Sequence, residues 1–379
     1  MRRKPVLLLP LLVALAAAVA VQPAGSETPV PPDELAPRPV KNKLPRYDGT
    51  IPARADLIAS RGSVVRVWTI RYRAHNGSAR DAYVILPIWY GPKRNPRLPF
   101  VISPHGRGVS ALTNARLWRG LPGRGQFAVI SPEGTGRHLA RYSWGARGQI
   151  DDLARMPEIA RRALPWLRID ERRVYALGGS MGGQETLLLL AHHPRLLAGA
   201  AAFDSVTDFA RQYRSFPTIP CNERCLYRWK GHIGYTLQRF ARRELGGSPL
   251  SRPGAYAARS PIDHVRAIAA SCVPLQLWWS RYDRIVANQA SQSGALFREI
   301  RRLNPRAPVQ AFVGYWAHSV EMDAGARLPA ALAELGLLKG LQPRRLTSGL
   351  HHTPAPDPAR SCGRAAEAGP GRAAPTGRG

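Results

Sequence analysis

The chain is poor in lysine and in acidic residues. Only six of its 55 basic residues are lysine, and only 25 residues are acidic, which leaves a formal net charge of +30. The arginines are scattered, with no long basic block and no interleaving of basic and aromatic residues. We therefore interpret the charge as surface composition and expect no nucleic-acid partner, while a weak attraction to anionic cell-surface polymers remains compatible with it.

Cysteine is also scarce, and its spacing does not suit a metal site. Cys221, Cys225, Cys272 and Cys362 lack the second close pair or the histidine spacing that tetrahedral zinc needs, so no metal is expected. Disulfides suit an exported protein. The short spacing is compatible with a Cys221–Cys225 bridge, and Cys225 with Cys272 is an open alternative.

Long apolar runs are missing except at the N-terminus. Residues 1–21 combine a basic start, an apolar run and the small residues at 18–20, which is the layout of a secretory signal peptide. The run is short for a bilayer span of about 20 residues and contains Pro10, so an uncleaved anchor is the less favoured alternative. We expect secretion to the extracellular or cell-envelope side.

Composition divides the remaining chain into three parts. Residues 22–46 contain seven prolines and predict a linker. Residues 342–379 are rich in Pro, Gly, Ala and Arg and predict a disordered tail. Residues 47–341 remain for one catalytic domain, which is long enough to bury a large core.

Short apolar runs separated by helix-length stretches predict an α/β fold. The eight predicted strands are 64–72, 82–89, 100–103, 127–131, 174–177, 199–203, 275–280 and 309–313. The predicted helices are 150–164, 181–192, 288–303 and 329–338, with Pro157 either kinking the first or beginning its second half. The later strands are almost wholly apolar, as in parallel strands covered on both faces. We expect an eight-stranded, mostly parallel, doubly wound sheet.

Residues 205–260 interrupt this pattern with proline, glycine, arginine and aromatic residues. An insertion of this length between strands predicts a cap or lid. Its aromatic side chains suit an apolar acyl or aryl group of a substrate, and packing of the cap onto the core is an equally good interpretation.

A serine between glycines marks the passage from predicted strand 174–177 to predicted helix 181–192. Residues 178–183 read G-G-S-M-G-G, the pattern of a nucleophile elbow. Such a turn holds the serine in a strained conformation that glycine neighbours tolerate. The pattern predicts Ser180 as the nucleophile of a serine hydrolase, a chemistry that needs no cofactor.

Two residues after late strands complete a catalytic triad. A serine nucleophile needs a base, and the base needs an acid that orients it. Asp283 follows strand 275–280 and His318 follows strand 309–313, in the order Ser, Asp, His along the chain. We predict His318 as the base and Asp283 as the acid. Asp204, after strand 199–203, is the alternative acid, because some hydrolases place it one strand earlier.

The oxyanion of the intermediate needs backbone donors. One is predicted to be the amide of Met181, directly after the nucleophile. The other is predicted to come from the glycine-rich turn at 103–108, with the Arg107 amide favoured and Gly106 as the alternative. His105 precedes Ser180 in this turn, and we expect it to shape the loop rather than act as the base.

Together these motifs resemble the α/β-hydrolase superfamily and, more narrowly, the catalytic domain of the prolyl oligopeptidase family. The stretches that carry the resemblance are 105–108, 178–183, 259–261 with Val265 and Ile268, 283–286 and 318–319. The resemblance implies a hydrolase acting on a small ester or peptide. Large members of that family carry a β-propeller, and none is expected here, because only residues 1–63 precede the first predicted strand.

A second function class is a non-catalytic binding protein on a hydrolase scaffold, whose basic surface holds an anionic wall polymer. The intact set of Ser180, Asp283 and His318 argues against it. The sequence does not decide between an ester and a peptide bond, and it does not predict an oligomeric state.

Overall fold

Nine strands form one sheet in this computed structural model, which describes residues 64–137, 144–341 and 347–356. The strands are β1 (Val65–Arg73), β2 (Ala79–Pro87), β3 (Leu98–Ile102), β4 (Ala128–Pro132), β5 (Ile169–Gly179), β6 (Gly199–Phe203), β7 (Leu275–Ser280), β8 (Val309–Gly314) and β9 (His351–Thr353). The predicted signal peptide at 1–21 and linker at 22–46 lie outside the described residues.

The strand order is β1-β2-β4-β3-β5-β6-β7-β8-β9. The six strands from β4 to β8 in this order pair in parallel, whereas β1, β2 and β9 pair antiparallel with their neighbours. The predicted fold class, a mostly parallel α/β sheet, is therefore confirmed, with nine strands in place of eight.

Helices cover both faces of the sheet. They are α1 (Ala111–Leu117), α2 (Leu121–Gly125), α3 (Arg147–Ala154), α4 (Met156–Ala163), α5 (Met181–His192), α6 (Phe209–Ser215), α7 (Glu223–Trp229), α8 (Ile233–Leu245), α9 (Pro253–Ala257), α10 (Val265–Ala270), α11 (Ser293–Leu303) and α12 (Leu328–Glu334). The central strand β5 shows why two layers form: Val174 and Ala176 enter one hydrophobic cluster, and Tyr175 and Leu177 enter the other. Among the described residues, no helix is both long enough and apolar enough to cross a bilayer.

The region around the predicted elbow is close to expectation, with one correction. Helix α5 covers the predicted residues 181–192, and Pro157 lies in the first turn of α4, where a second helix begins after α3. Strand β5 was predicted to begin at residue 174, but it begins at Ile169 and includes the polar residues 170–173. Ile169 lies opposite Leu98 of β3, and the register then shifts before Phe100 pairs with Val174. Residues 170–173 lie in the irregular stretch between these two pairs, which their polar composition does not reveal.

The second correction concerns the predicted disordered tail at 342–379. Strand β9 lies inside it and pairs antiparallel with β8, with His352 opposite Phe312. The two rings stack with centroids 4.3 Å apart. This pairing gives a short polar segment backbone hydrogen bonds and one aromatic contact, which its composition does not reveal.

The insertion between β6 and β7 is helical and contains α6 to α9, which lie within the residues 205–260 predicted to form a cap. Several of its aromatic residues pack inward: Tyr213, Phe216 and Tyr256 join a hydrophobic cluster that also holds Trp144 and Met181. Others, such as Tyr227 at 89% exposure, face solvent. The aromatic residues of the cap therefore form two groups, one that packs in a hydrophobic cluster and one that faces solvent.

A disulfide joins Cys221 to Cys225 at the start of the cap helix α7. The open alternative, Cys225 with Cys272, is thereby excluded, and Cys362 lies outside the described residues. The bridge closes a five-residue segment next to the site described below.

Three aromatic rings stack across neighbouring strands under the active-site edge of the sheet. Trp278 on β7 lies between Phe203 on β6 and Phe312 on β8, with centroid distances of 5.4 and 3.9 Å. The residues are register partners and are fully buried. Because Phe203 directly precedes Asp204, this stack fixes the strand ends from which the candidate catalytic loops leave.

Truncation of the central ring should therefore destabilise the domain. We expect Trp278→Ala to lower the free energy of unfolding by about 3–5 kcal/mol, since it leaves a cavity between two rings. Urea unfolding followed by circular dichroism measures this change. Tyr227→Ala, at a highly exposed position, serves as the control and should change stability by less than about 0.5 kcal/mol. Equal effects of the two substitutions would contradict the assignment.

Candidate active site

Ser180 occupies a strained turn between β5 and α5. Its φ of 58° and ψ of −125° are unfavourable for a residue with a side chain, and such strain concentrates at functional sites. The Ser180 amide donates to the Phe203 carbonyl at 2.8 Å, which ties the turn to the end of β6. The half-buried serine lines a cavity, as a nucleophile elbow requires.

Two glycines make this turn sterically feasible. A Cβ atom on Gly178 would lie 2.4 Å from the Gly182 carbonyl oxygen, and one on Gly182 would lie 2.3 Å from the Pro104 carbonyl oxygen. Both contacts are with backbone, which cannot give way cheaply. The glycines thus let α5 start directly after the serine and approach the turn at 103–108.

His318 and Asp283 form a hydrogen-bonded pair. The distance from His318 Nδ1 to Asp283 Oδ2 is 2.8 Å. Asp283 is buried and accepts three further bonds, from the amides of Ile285 and Val286 to Oδ1 at 2.9 and 3.0 Å and from Gln289 Nε2 to Oδ2 at 3.0 Å. The carboxylate is therefore held in one orientation, and it leaves Nε2 of His318 as the nitrogen able to accept a proton.

Ser180 and His318 line the same cavity. Within the described residues no hydrogen bond joins their side chains, and His318 Nε2 lies 3.5 Å from the hydroxyl of Ser319. Catalytic serine–histidine bonds often tighten only when substrate is bound. The structure thus joins His318 to Asp283 and places His318 at the same cavity as Ser180. The remaining contact of the triad, between the Ser180 and His318 side chains, is not formed in the described part of the chain.

Asp204, the alternative acid, has a different place. Its Oδ1 accepts from the Ser280 amide, and its Oδ2 accepts from Trp316 Nε1 and the Ser319 amide, all at 2.8 Å. It makes no hydrogen bond with His318 among the described contacts. Asp204 instead ties the end of β6 to β7 and to the loop that carries His318.

Both carboxylates influence the proton affinity of His318. Burial alone lowers the pKa of His318, but the hydrogen bond to Asp283 and the charges of Asp283 and Asp204 outweigh it, so the pKa lies above its ordinary value. Burial raises the pKa of Asp204 to about 6, against the opposing charge of His318.

Ligand atoms of Asp204, Asp283 and His318 lie within 4.8 Å of one another, close enough to surround a cation. The carboxylate oxygens already accept hydrogen bonds from protein donors, and Nδ1 of His318 is bonded to Asp283. This donor set has the chemistry of a base with an orienting acid rather than that of a metal centre.

The turn at 103–108 lies beside the nucleophile. A Cβ atom on Gly106 would be 3.8 Å from the Ser180 Cβ, and both Gly106 and Arg107 line the cavity. The Gly108 amide is engaged by the Gly136 carbonyl at 2.7 Å, so it is not a donor for substrate. Met181 begins α5 and places its amide directly after Ser180. The predicted oxyanion residues Met181 and Arg107 thus lie beside Ser180, and Gly106 remains the alternative to Arg107.

His105 shapes this turn, as expected. Its Nδ1 lies 2.8 Å from the Gly106 carbonyl oxygen, and its Nε2 accepts from the Gly134 amide at 2.9 Å. Burial lowers the pKa of His105, which keeps the ring neutral. With both nitrogens engaged, His105 is not a second base.

A buried ion pair that the sequence did not suggest links this turn to the cap. The Arg107 guanidinium pairs with both carboxylate oxygens of Glu244 on α8, and the two side chains are only 5% and 2% exposed. The guanidinium also lies 4.6 Å from the centre of the Trp144 ring. This ion pair therefore fixes the position of helix α8 relative to the predicted oxyanion turn.

The cavity has a volume of about 530 Å³ and a largely apolar wall. Apolar lining residues include Val109, Leu117, Phe216, Ile219, Leu237 and Met322. This size and lining suit a small organic substrate. Phe216, Ile219 and Leu237 belong to the cap, so the insertion supplies part of the wall.

Loss of the Asp204 charge should change the pH dependence of activity. In Asp204→Asn, the negative charge that favours protonated His318 is removed, so the pKa of His318 falls and the acid limb of kcat/KM moves to lower pH. The amide also leaves one of the three donors unmatched, and the misplaced loop should lower the plateau rate about 10- to 100-fold. Steady-state rates on an activated ester between pH 5 and pH 9 measure both effects.

Asp263→Asn removes a carboxylate from the turn Pro261–His264, outside this network, and is the matched control. Its acid limb should coincide with that of the wild-type protein. An unshifted limb in Asp204→Asn, with rate alone reduced, would contradict the electrostatic role assigned to Asp204.

Part of the chain matches a family of known proteins. A sequence model of the prolyl oligopeptidase family matches residues 137–304, a segment that contains Ser180 and Asp283 and ends before His318. No curated protein sequence matches the chain significantly.

Three solved structures share the fold at low sequence identity. Dipeptidyl peptidase 4 from Porphyromonas gingivalis is 16% identical with a TM-score of 0.50, over 72% of this chain and 35% of that chain. A puromycin-hydrolysing peptidase from Mycobacterium tuberculosis is 18% identical with a TM-score of 0.50, over 76% of this chain and 40% of that chain. An esterase from Pyrococcus furiosus is 14% identical with a TM-score of 0.50, over 71% of this chain and 89% of that chain.

The chain thus spans between a third and a half of the length of these two peptidases, and most of the length of the esterase. These neighbours establish the fold, and the family match covers the predicted nucleophile Ser180 and the predicted acid Asp283. The chain therefore has the α/β-hydrolase fold, and over residues 137–304 it resembles the prolyl oligopeptidase family.

Proposed function

We propose that the protein is an exported serine hydrolase that cleaves an ester or amide bond of a small substrate through an acyl-enzyme on Ser180. The observation that carries the proposal is the His318–Asp283 pair, joined at 2.8 Å, at a cavity shared with a serine in a strained elbow. The family match and the esterase and peptidase neighbours are consistent with it.

The chemistry follows the roles of these three side chains. Nε2 of His318 takes the proton of the Ser180 hydroxyl as its oxygen attacks the carbonyl carbon, and Asp283 stabilises the resulting imidazolium. In this proposal the amides of Met181 and Arg107 stabilise the oxyanion, with the Gly106 amide as the alternative to that of Arg107. His318 then protonates the leaving group, and a water molecule activated by the same histidine hydrolyses the acyl-enzyme.

An ester and an amide are cleaved by the same steps, so the machinery alone does not choose between them. Rates on p-nitrophenyl acyl esters, compared with rates on aminoacyl and prolyl amides, distinguish the two. We propose export because residues 1–21 have the layout of a signal peptide. Identification of the N-terminal residue of protein recovered outside the cytoplasm tests this, because cleavage of a signal peptide leaves a new N-terminus.

Removal of the nucleophile should abolish activity. We expect Ser180→Ala to lower kcat on activated esters at least about 1,000-fold, because the acyl-enzyme cannot form. The same substitution should abolish labelling by a fluorophosphonate, which reacts only with an activated serine.

Ser319→Ala is the matched control, since Ser319 also lines the cavity and lies 3.5 Å from His318 Nε2. This variant should still be labelled. Labelling lost in Ser319→Ala but kept in Ser180→Ala would make Ser319 the nucleophile, and an unlabelled wild-type protein would favour a binding protein on a hydrolase scaffold.

A further inference from the structure

The cavity beside Ser180 has an unusual distribution of charge. Its charged lining residues are Arg107 and Arg228, and among the described residues no aspartate or glutamate lines it. A substrate ammonium group therefore finds no carboxylate among the described lining residues.

The two arginines differ in what they can still bind. Arg107 is buried against Glu244, so its charge is already neutralised. Arg228, on the cap helix α7, is exposed and has no carboxylate partner in the described part of the chain. Of these two cationic side chains, Arg228 is the one that remains available to a ligand.

An aromatic ring lies beside this guanidinium. The Arg228 guanidinium carbon is 5.3 Å from the centre of the Trp229 ring, and Trp229 also lines the cavity. Contact with an aromatic face restricts a guanidinium without consuming its N–H donors. A planar guanidinium with free donors matches a carboxylate, which it can bind through two parallel hydrogen bonds.

The helix that carries Arg228 is held in place at its start. Asn222 caps α7 by accepting from the Cys225 amide at 3.1 Å, and the Cys221–Cys225 disulfide closes the same turn. Cys225 itself lines the cavity. A braced helix positions a binding side chain more reproducibly than an unbraced loop does.

We propose that Arg228 forms a carboxylate-binding subsite, so that the substrate of the proposed hydrolase carries a carboxylate separated from the scissile carbonyl by an apolar segment. The apolar wall receives that segment, and the guanidinium receives the carboxylate. Substrates with a free amino group are disfavoured, because the described wall offers that group no anion. The inference rests on the proposed function and names the substrate class of the same site.

Paired substrates that differ in one charge test the subsite. The p-nitrophenyl monoester of glutaric acid is compared with the pentanoate ester, which has a similar chain and no carboxylate. A second pair carries the carboxylate in the leaving group: the butyrate ester of 4-hydroxybenzoate and that of its methyl ester. Within one of these pairs, the wild-type protein should prefer the anionic member in kcat/KM, and the pair that shows this identifies the side of the scissile bond.

Substitution of Arg228 should remove that preference. In Arg228→Gln, the ratio of anionic to neutral kcat/KM should fall about 10-fold, as expected for loss of a partly exposed charge-assisted pair. In Arg228→Glu, the neutral member should become the preferred substrate. Arg224→Gln changes an exposed arginine on the same helix that does not line the cavity, and it should leave the ratio unchanged.

A binding measurement separates this inference from the proposed function. In the Ser180→Ala background no acyl-enzyme forms, and calorimetric titration with the glutarate and 4-hydroxybenzoate esters reports binding alone. Arg228→Gln in that background should weaken binding of the anionic member of the preferred pair about 10-fold. Equal affinity with and without Arg228, or equal wild-type rates within both pairs, overturns the subsite, whereas an unlabelled Ser180 in the wild-type protein overturns the hydrolase alone.

Discussion

The geometry of the site depends on the hydrogen bonds that the Asp204 carboxylate accepts. It accepts from donors on β7 and on the loop after β8, and these donors are 76, 112 and 115 residues away along the chain. Loops that leave the ends of separate strands do not keep fixed positions relative to one another unless a contact joins them. A buried acceptor that satisfies three donors at once supplies that order, and leaving any one donor unmatched in a dry interior is costly.

The cap contributes in a similar way through a contact with the turn at 103–108. Glu244 on α8 engages Arg107, so the turn beside Ser180 is oriented by a helix of the insertion rather than by the sheet alone. A buried ion pair adds little net stability, because desolvation offsets the attraction. The pair instead selects a geometry, because an arrangement of the cap and the turn that separated Arg107 from Glu244 would leave both buried charges unpaired.

Much of this organisation could be predicted from the sequence, since the signals were local. Ser180, Asp283 and His318 each follow an apolar strand, and the order of strands along the chain brings their ends to one edge. The start of β5 and strand β9 were missed, because residues 170–173 and 351–353 are polar; the second segment forms a strand through its pairing with β8. The Arg107–Glu244 pair spans 137 residues, and the role of Asp204 depends on loops still further along the chain, so no local pattern could reveal either.

Strand β9 has a consequence for how the histidine is held. With β9 paired to it, β8 is an interior strand with hydrogen bonds on both sides, and the loop that bears His318 leaves from a strand that is not at the border of the sheet. A chain shortened at residue 341, as its composition would invite, would turn β8 into an open edge and expose Phe312 where His352 now stacks. Strand β9 thus supports the strand from which the His318 loop leaves, and its removal would loosen the position of that loop.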